Sequence, residues 1–398
     1  MADPATSPPL TRASVQAARA LIAPYVHHTP TLTNRTLTRL ASTPRTREEL
    51  RRYPEWERVE NPASPKLRLW FKCENLQRVG AFKVRGGVSC VGPAVGGGGA
   101  LSLAARTHGI PAYIVMPEIS PPPKIAATRG YGAKVVFSGS TSVEREAVTA
   151  QVIEETGARL VPPYDHPDIV LGQGTLGLEL QEDAARMMAE EEGEGEGRQD
   201  PEGGRCSFAA PVTKEEDDGA GGTKGEEKKK KKAGLDAILA PCGGGGMLSG
   251  VALSCEGTGI RVFGCEPSFQ GADDAKRGFE SGTRVEAVSS LTVADGLRTP
   301  LGKVPWHVIY ERKLVSGFYS VGEREICDAL RLVLERFKMV VEPSAAVPLA
   351  VALYNEEFRR MVEREAGPEG WDLGVVFSGG NINLDVLGRL FGEPEGSK

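Results

Sequence analysis

At 398 residues with 40% hydrophobic content, the chain is long enough for two domains with ordinary globular cores. Its net charge of −5 gives no electrostatic case for nucleic acid, and no apolar run approaches membrane-spanning length. Seven cysteines are scattered, odd in number and free of Cys-x-x-Cys pairs, and no apolar leader with basic flanks opens the chain, so a reduced, cytoplasmic setting is expected.

In chain order, residues 1–9 are polar and 11–22 carry helical apolar spacing. His27-His28 has no third ligand nearby and reads as a surface turn rather than a metal site. Residues 43–65, with Arg, Glu and Pro throughout, read as an insertion forming a surface loop. An apolar strand follows at 67–72, the pattern breaks at Gly80, and a helix begins through Phe82 and Lys83. A lysine just inside a helix, behind an aromatic and before Arg85, can lie beside positive charge and apolar surface that lower its pKa toward that of an amine nucleophile. Taken alone, Lys-x-Arg also describes a solvated helix surface.

No strand is read between Lys83 and the helix that starts near Gly98, so Gly96–Gly99 read as a deletion scar rather than a phosphate loop. Strands at 110–116, 134–137 and 158–161 alternate with helices at 124–131 and 142–155, the pattern of a small parallel sheet. A long helix is expected from Gly172 to Met188. Residues 189–233 alternate Glu with Gly and end in a lysine run crowded by acids; they cannot bury enough apolar surface to order, and read as a solvated excursion rather than a nucleic-acid patch. Strand and helix patterns resume at 235–240, 261–265, 323–336, 347–364 and 373–377.

The second chemical signal is Pro241-Cys242-Gly243-Gly244-Gly245-Gly246-Met247, clamped between an apolar strand and an apolar helix. Bare backbone N–H groups at the positive end of a helix suit a phosphate. The spacing is neither a P-loop nor a dinucleotide fingerprint.

With Ala81-Phe82-Lys83-Val84-Arg85-Gly86, this loop resembles the pyridoxal-phosphate enzymes of the tryptophan-synthase-β type, and within them the serine racemase and serine/threonine dehydratase group. Gly172-Gln173-Gly174-Thr175, Ala294-Asp295-Gly296-Leu297, Glu342-Pro343-Ser344 and Ser378-Gly379-Gly380-Asn381 match in family order. The resemblance implies a fold type II α/β architecture: two parallel-sheet, three-layer domains with the cofactor in the cleft between them. The large domain would take residues 10–92 and 166–395 and the small domain 93–165, with 189–233 as a disordered insertion. It implies that Lys83 carries pyridoxal 5'-phosphate, that Phe82 lies against the ring, that Gly243, Gly244, Gly245, Gly246 and Met247 hold the phosphate, and that Ser378 faces the pyridine nitrogen. It places Mg²⁺ or Ca²⁺ at Glu266, Ala272 and Asp274, in a loop two residues longer than in mammalian racemases. It further implies a homodimer, small amino-acid substrates, ATP as an effector near Lys338 and Asn381, and an arginine near the active site at Arg145.

A neutral hydroxyl at Ser378 makes the cofactor ring a weaker electron sink than a carboxylate would, which favours prompt loss of a β-hydroxyl to pyruvate and ammonia alongside reprotonation. The chain departs from its relatives after Lys83, where their Ser-Ser-Gly-Asn-His turn is absent. Three readings follow: an enzyme acting on serine, threonine or 3-hydroxyaspartate; a catalytically impaired member that keeps the fold; and an intact enzyme whose printed sequence lacks an exon.

Overall fold

The computed structural model describes residues 7–90, 94–96, 99–107, 109–120, 122–139, 142–197 and 234–391. The chain opens with α1 (Arg12–Ile22), β1 (Thr31–Thr33), α2 (Arg35–Ser42), α3 (Arg47–Leu50), β2 (Leu67–Cys73) and α4 (Lys83–Ser89). It continues through β3 (Ala94–Gly96), α5 (Gly99–Thr107), β4 (Ala112–Pro117), α6 (Pro122–Gly130), β5 (Lys134–Ser138), α7 (Ser142–Thr156), β6 (Arg159–Val161) and α8 (Pro167–Gly197). Then come β7 (Ala237–Pro241), α9 (Gly246–Cys255), β8 (Arg261–Pro267), α10 (Asp274–Ser281), α11 (Lys303–Trp306), β9 (Gly317–Val321) and α12 (Glu323–Leu332). The chain closes with α13 (Pro343–Tyr354), α14 (Glu356–Glu365), β10 (Trp371–Phe377) and α15 (Leu384–Phe391).

Two sheets organise these elements. The larger has strand order β1-β2-β10-β7-β8-β9, all parallel except the β1 edge. Its inner strands are apolar on both faces, β7 being wholly buried, because helices cover both sides of a parallel sheet. The uniformly apolar α13 packs on one face with Phe71, Leu239, Phe263 and Val375, while α8 and α9 cover the other with Trp70, Ile238 and Val376. The smaller sheet, β5-β4-β3-β6, is entirely parallel and comes from one contiguous stretch.

Three expectations are corrected here. A strand does precede Gly96–Gly99: β3 pairs with β4 on one side and β6 on the other, and ladders on both edges hold three residues that carry little propensity of their own. Gly96 is thus the last residue of β3 and Gly99 the first of α5, and residues 97 and 98 lie outside the described set. Second, α8 runs to Gly197 rather than ending near 188, since Glu is a good helix former and Arg68 and Arg186 pair with Glu191 and Glu190. The disorder expected further on, at 198–233, lies outside the described residues.

Third, the 43–65 insertion is docked. Thr46 and Glu49 form a reciprocal capping box on α3, and Leu50 and Tyr53 are buried. Leu50, Tyr53 and Trp56 recur at helical spacing, the signal that outweighs the polar composition. Arg359, fully buried, donates to the carbonyls of Ala41, Thr43 and Ala63, and Tyr53 donates to Asp328 at 2.9 Å. Trp56 Nε1 donates at 2.9 Å to Glu325, whose carboxyl is pushed up to about 7 by burial and by the nearby Glu55 charge. A raised carboxyl pKa stabilises the fold fully below its unfolded value of 4.5, and that contribution is lost as pH rises toward 7. Glu325→Gln is therefore expected to flatten the decline in thermal midpoint between those pH values. Equal slopes in both proteins would refute the assignment.

Candidate active site

The loops that follow β2, β7, β8 and β10 all emerge at the carboxyl edge of the larger parallel sheet, where open α/β sheets bind ligands. After β2 the chain makes two short turns and passes through Val79 and Gly80 in left-handed conformations, φ 58° and 69°. A Cβ at Gly80 would come within 2.6 Å of Asn381 Oδ1, so only glycine allows this approach. Four contacts then stitch the segment to the end of β10. Phe82 N donates to Ser378 O at 3.1 Å, Gly380 N to Gly80 O at 2.9 Å and Asn381 Nδ2 to Val79 O at 2.8 Å, and Ala81 bridges Gly379. Lys83 leaves this brace as the first residue of α4, exposed, with its Nζ 5.9 Å from the Phe82 ring centre.

Arg85 does not stand beside Lys83 as free positive charge. It is fully buried and donates to both oxygens of Glu74 and both of Glu179, each at 2.8 Å. Lys72 joins at 2.8 Å from Glu179 and donates to Thr29 O at 2.6 Å. Burial alone would raise Glu179, but the bonds from Arg85 and then Lys72 bring it down to about 2. Arg85 thus braces α4 against α8 and β2, a role signalled in sequence only by charges set into apolar segments.

After β7 the chain enters Gly243–Gly246. Gly245 is left-handed at φ 83°, and a Cβ there would meet Leu301 at 2.3 Å. Gly244 lies flat under the Tyr164 ring, which a Cβ would meet at 2.3 Å. The N–H groups of Gly243, Gly244 and Gly245, all buried residues, donate to no described atom. Three orphaned donors at the start of a ten-residue helix, in a cradle that any side chain would fill, fit a phosphate group. Met247 is buried behind them.

The remaining motifs converge on these two loops. Gly296 N donates to Ser344 Oγ at 3.0 Å, Glu342 N to Gly379 O at 3.0 Å, and Gly243 packs against Gly296 O. Ser378, 2% exposed, directly follows β10 beside Phe82. Sequence reasoning missed Tyr164, whose neighbour Asp165 accepts from Lys303 N and Val304 N and so fixes the ring over the glycine loop. It also gave no role to Gln173, whose Nε2 reaches Lys83 O at 3.5 Å while its buried Oε1 has no partner.

A family model described as "Pyridoxal-phosphate dependent enzyme" matches residues 55–190 and 218–379, which include Lys83, the glycine loop and Ser378. The chain belongs to that family. The rice (Oryza sativa subsp. indica) serine racemase is 32% identical over 390 residues, covering 94% of this chain and 91% of its own. A beta-hydroxyaspartate dehydratase of Paracoccus denitrificans is 35% identical over 335 residues, covering 80% and 87%. Among solved structures, maize serine racemase superposes with a TM-score of 0.72 at 30% identity, covering 95% of this chain and 96% of its own. The fold is therefore that of the type II pyridoxal-phosphate enzymes, as the motifs led one to expect. No helix of the described residues is long and apolar enough to cross a membrane.

The loop after β8 carries a second group of polar atoms. Glu266 is fully buried and accepts from Ala275 N at 3.1 Å and Lys276 N at 2.7 Å. Asp274, 1% exposed, accepts from Leu301 N at 3.0 Å through Oδ2, while its Oδ1 has no partner. Burial, and then the Asp274 charge, raises Glu266 well above the usual carboxylate range; burial pushes Asp274 up to about 6. Ala272 is buried in the same loop. Two buried carboxyls with one orphaned oxygen fit a hard divalent cation.

Proposed function

We propose that this protein is a serine racemase and L-serine ammonia-lyase, working on small β-hydroxy amino acids that include threonine and 3-hydroxyaspartate. The observation that carries the reading is the pairing of Lys83, braced against the end of β10, with three orphaned glycine N–H groups across the same sheet edge. The relatives named above supply the substrate class, and the absence of any carboxylate at Ser378 supports elimination beside racemisation.

Pyridoxal 5'-phosphate, when bound, supplies the electron withdrawal that acidifies the substrate Cα–H. The chain's own residues then have distinct tasks. Gly243–Gly246 hold the phosphate through backbone donors, and the Tyr164 ring closes one side of that cradle. The Phe82 backbone, tied to Ser378, keeps the ring-facing residues in register with Lys83. The Lys83 amine removes the α-proton on its own face. Incubating the purified protein with L-serine, L-threonine and 3-hydroxyaspartate, and measuring keto acid, ammonia and D-serine, tests the reading. Failure to release keto acid from all three substrates would overturn it.

The proposed large domain comprises residues 10–92 and 166–395, and the small one 93–165. Mg²⁺ or Ca²⁺ at Glu266, Asp274 and the Ala272 carbonyl would replace protons that burial otherwise keeps on the acids. Mg²⁺ at about 100 times its Kd is expected to add ~2.7 kcal/mol of stability. Asp274→Asn keeps the bond from Leu301 N and is expected to lose that gain, read as the Mg²⁺-dependent shift in unfolding midpoint. An ATP effector site near Lys338 and a homodimer complete the proposal; the Asn381 amide is already committed to Val79 O.

A further inference from the structure

The chain passes between the two sheets twice, after α4 and before α8, and the passages lie side by side. The helices that carry them meet backbone to backbone: a Cβ on Gly172 of α8 would come within 2.8 Å of Gly86 Cα and 2.7 Å of Ser89 Cβ in α4. Beyond that contact Cys90 caps the carboxyl end of α4, while His166 and Asp168 lie at the start of α8. Cys90 Sγ stands 3.9 Å from His166 Nδ1, and His166 Nδ1 stands 3.8 Å from Asp168 Oδ2. All three ligand atoms lie within 4.8 Å of one another. Cys90 and His166 are buried, and the Asp168 side chain, 23% exposed, reaches solvent.

None of the three has a task in the site described above. Backbone N–H of Asp168 donates to His166 Nδ1 at 3.2 Å, which requires that nitrogen to carry its lone pair rather than a proton. Asp168 lies in the first turn of α8, where the helix terminus favours a carboxylate, and its Oδ2 stands on the same side as the Nδ1 lone pair.

We propose that Cys90, His166 and Asp168 form a zinc site that ties the two passages of the chain together. A thiolate, an imidazole and a carboxylate make a donor set that favours Zn²⁺ over the hard cations suited to the Glu266 loop. Tetrahedral zinc bond lengths place sulfur about 3.5 Å from nitrogen and nitrogen about 3.3 Å from oxygen, so the group closes by several tenths of an ångström to bind. Water reaches the fourth position past Asp168. Binding releases the Cys90 thiol proton to solvent and needs no oxidant. The Asp168 N–H gives up its bond to Nδ1, but it belongs to the first turn of α8, whose N–H groups have no partner within the helix.

The test uses the full-length protein loaded with pyridoxal phosphate and saturated with Mg²⁺, so that the Glu266 loop does not compete. After dialysis in buffered Zn²⁺, one zinc per chain is expected by elemental mass spectrometry. Co²⁺ in its place should give an intense sulfur-to-cobalt charge-transfer band. Outer partners of a zinc ligand are already worth about 10–100-fold in affinity, so Cys90→Ser and His166→Gln should each weaken Zn²⁺ binding by ~100-fold or more. Cys90→Ser should also abolish the cobalt band. Equal zinc retention by wild type and both variants, or a wild-type cobalt spectrum without that band, overturns the site. Should Cys90→Ser fail to fold, Asp168→Asn at its partly exposed position decides: a loss of ~10-fold or more supports the site, and unchanged affinity overturns it.

Discussion

Replacing Lys83 by alanine is expected to abolish keto-acid formation, with a loss of at least ~10³–10⁴-fold, because one positioned acid/base group alone is worth about 10²–10⁴ and Lys83 is also the proposed covalent anchor. Lys83 is exposed and its amine has no hydrogen-bond or ion-pair partner among the described residues, so the variant should fold normally by circular dichroism. The wild type should show an absorbance band near the visible edge that borohydride bleaches, leaving the label on the peptide that contains Phe82 and Lys83. The variant should lack it. The neighbouring Lys72 is a useful contrast: it is fully buried and held by Glu179 and Thr29, so it cannot stand in. The same reducible band in Lys83→Ala would show that the anchor lies elsewhere.

The second large effect concerns the connection between β3 and α5. In the family this chain resembles, a Ser-Ser-Gly-Asn-His turn grips the substrate carboxylate and provides the acid/base opposite the lysine. Here the sequence after Gly96 offers only glycines before α5 begins. Without that turn, D-serine formation by the native chain is expected to run ~100-fold or more below that of a chain that carries it. Elimination should fall less, since Lys83 can take the α-proton on its own face. Substituting Ser-Ser-Gly-Asn-His for Gly97-Gly98 is expected to raise both activities and racemisation most. The existence of β3 places the graft after Gly96 rather than anywhere in the stretch from Val91. Ser89 packs against Gly172 and Ser102 is 1% exposed, so neither is set to replace the missing group. Racemisation by the native chain at the rate of the grafted one would sink this argument.

Much of the site was legible because its residues are constrained by backbone geometry. Gly80, Gly244 and Gly245 are glycines since nothing else fits, and such positions stand out in a sequence. Lys83 was legible for the same reason: its approach depends on Gly80 and on the Ser378–Asn381 turn. The role of Arg85 was misread because a charge's partners come from distant segments, here Glu74 and Glu179, and local spacing does not reveal them. β3 was illegible because Ala94-Val95-Gly96 owes its strand to ladders on both edges. The docked insertion shows the converse, its three apolar residues counting for more than the charges around them.

The place of β10 in the larger sheet sets a timetable for synthesis. β10 lies between β2 and β7, and Arg68 pairs with Asp372 across a separation of 304 residues. At about 5–20 residues per second, β2 leaves the ribosome roughly 15–60 s before the strand that completes its pairing. Throughout that interval the edge of β2 that pairs with β10 has open backbone groups, and the face that α13 covers, with Leu69 and Phe71, is bare, whereas the contiguous β3–β6 sheet can close early. Growing chains of this protein should therefore engage chaperones through the β2 segment and be released only after Phe377 has emerged.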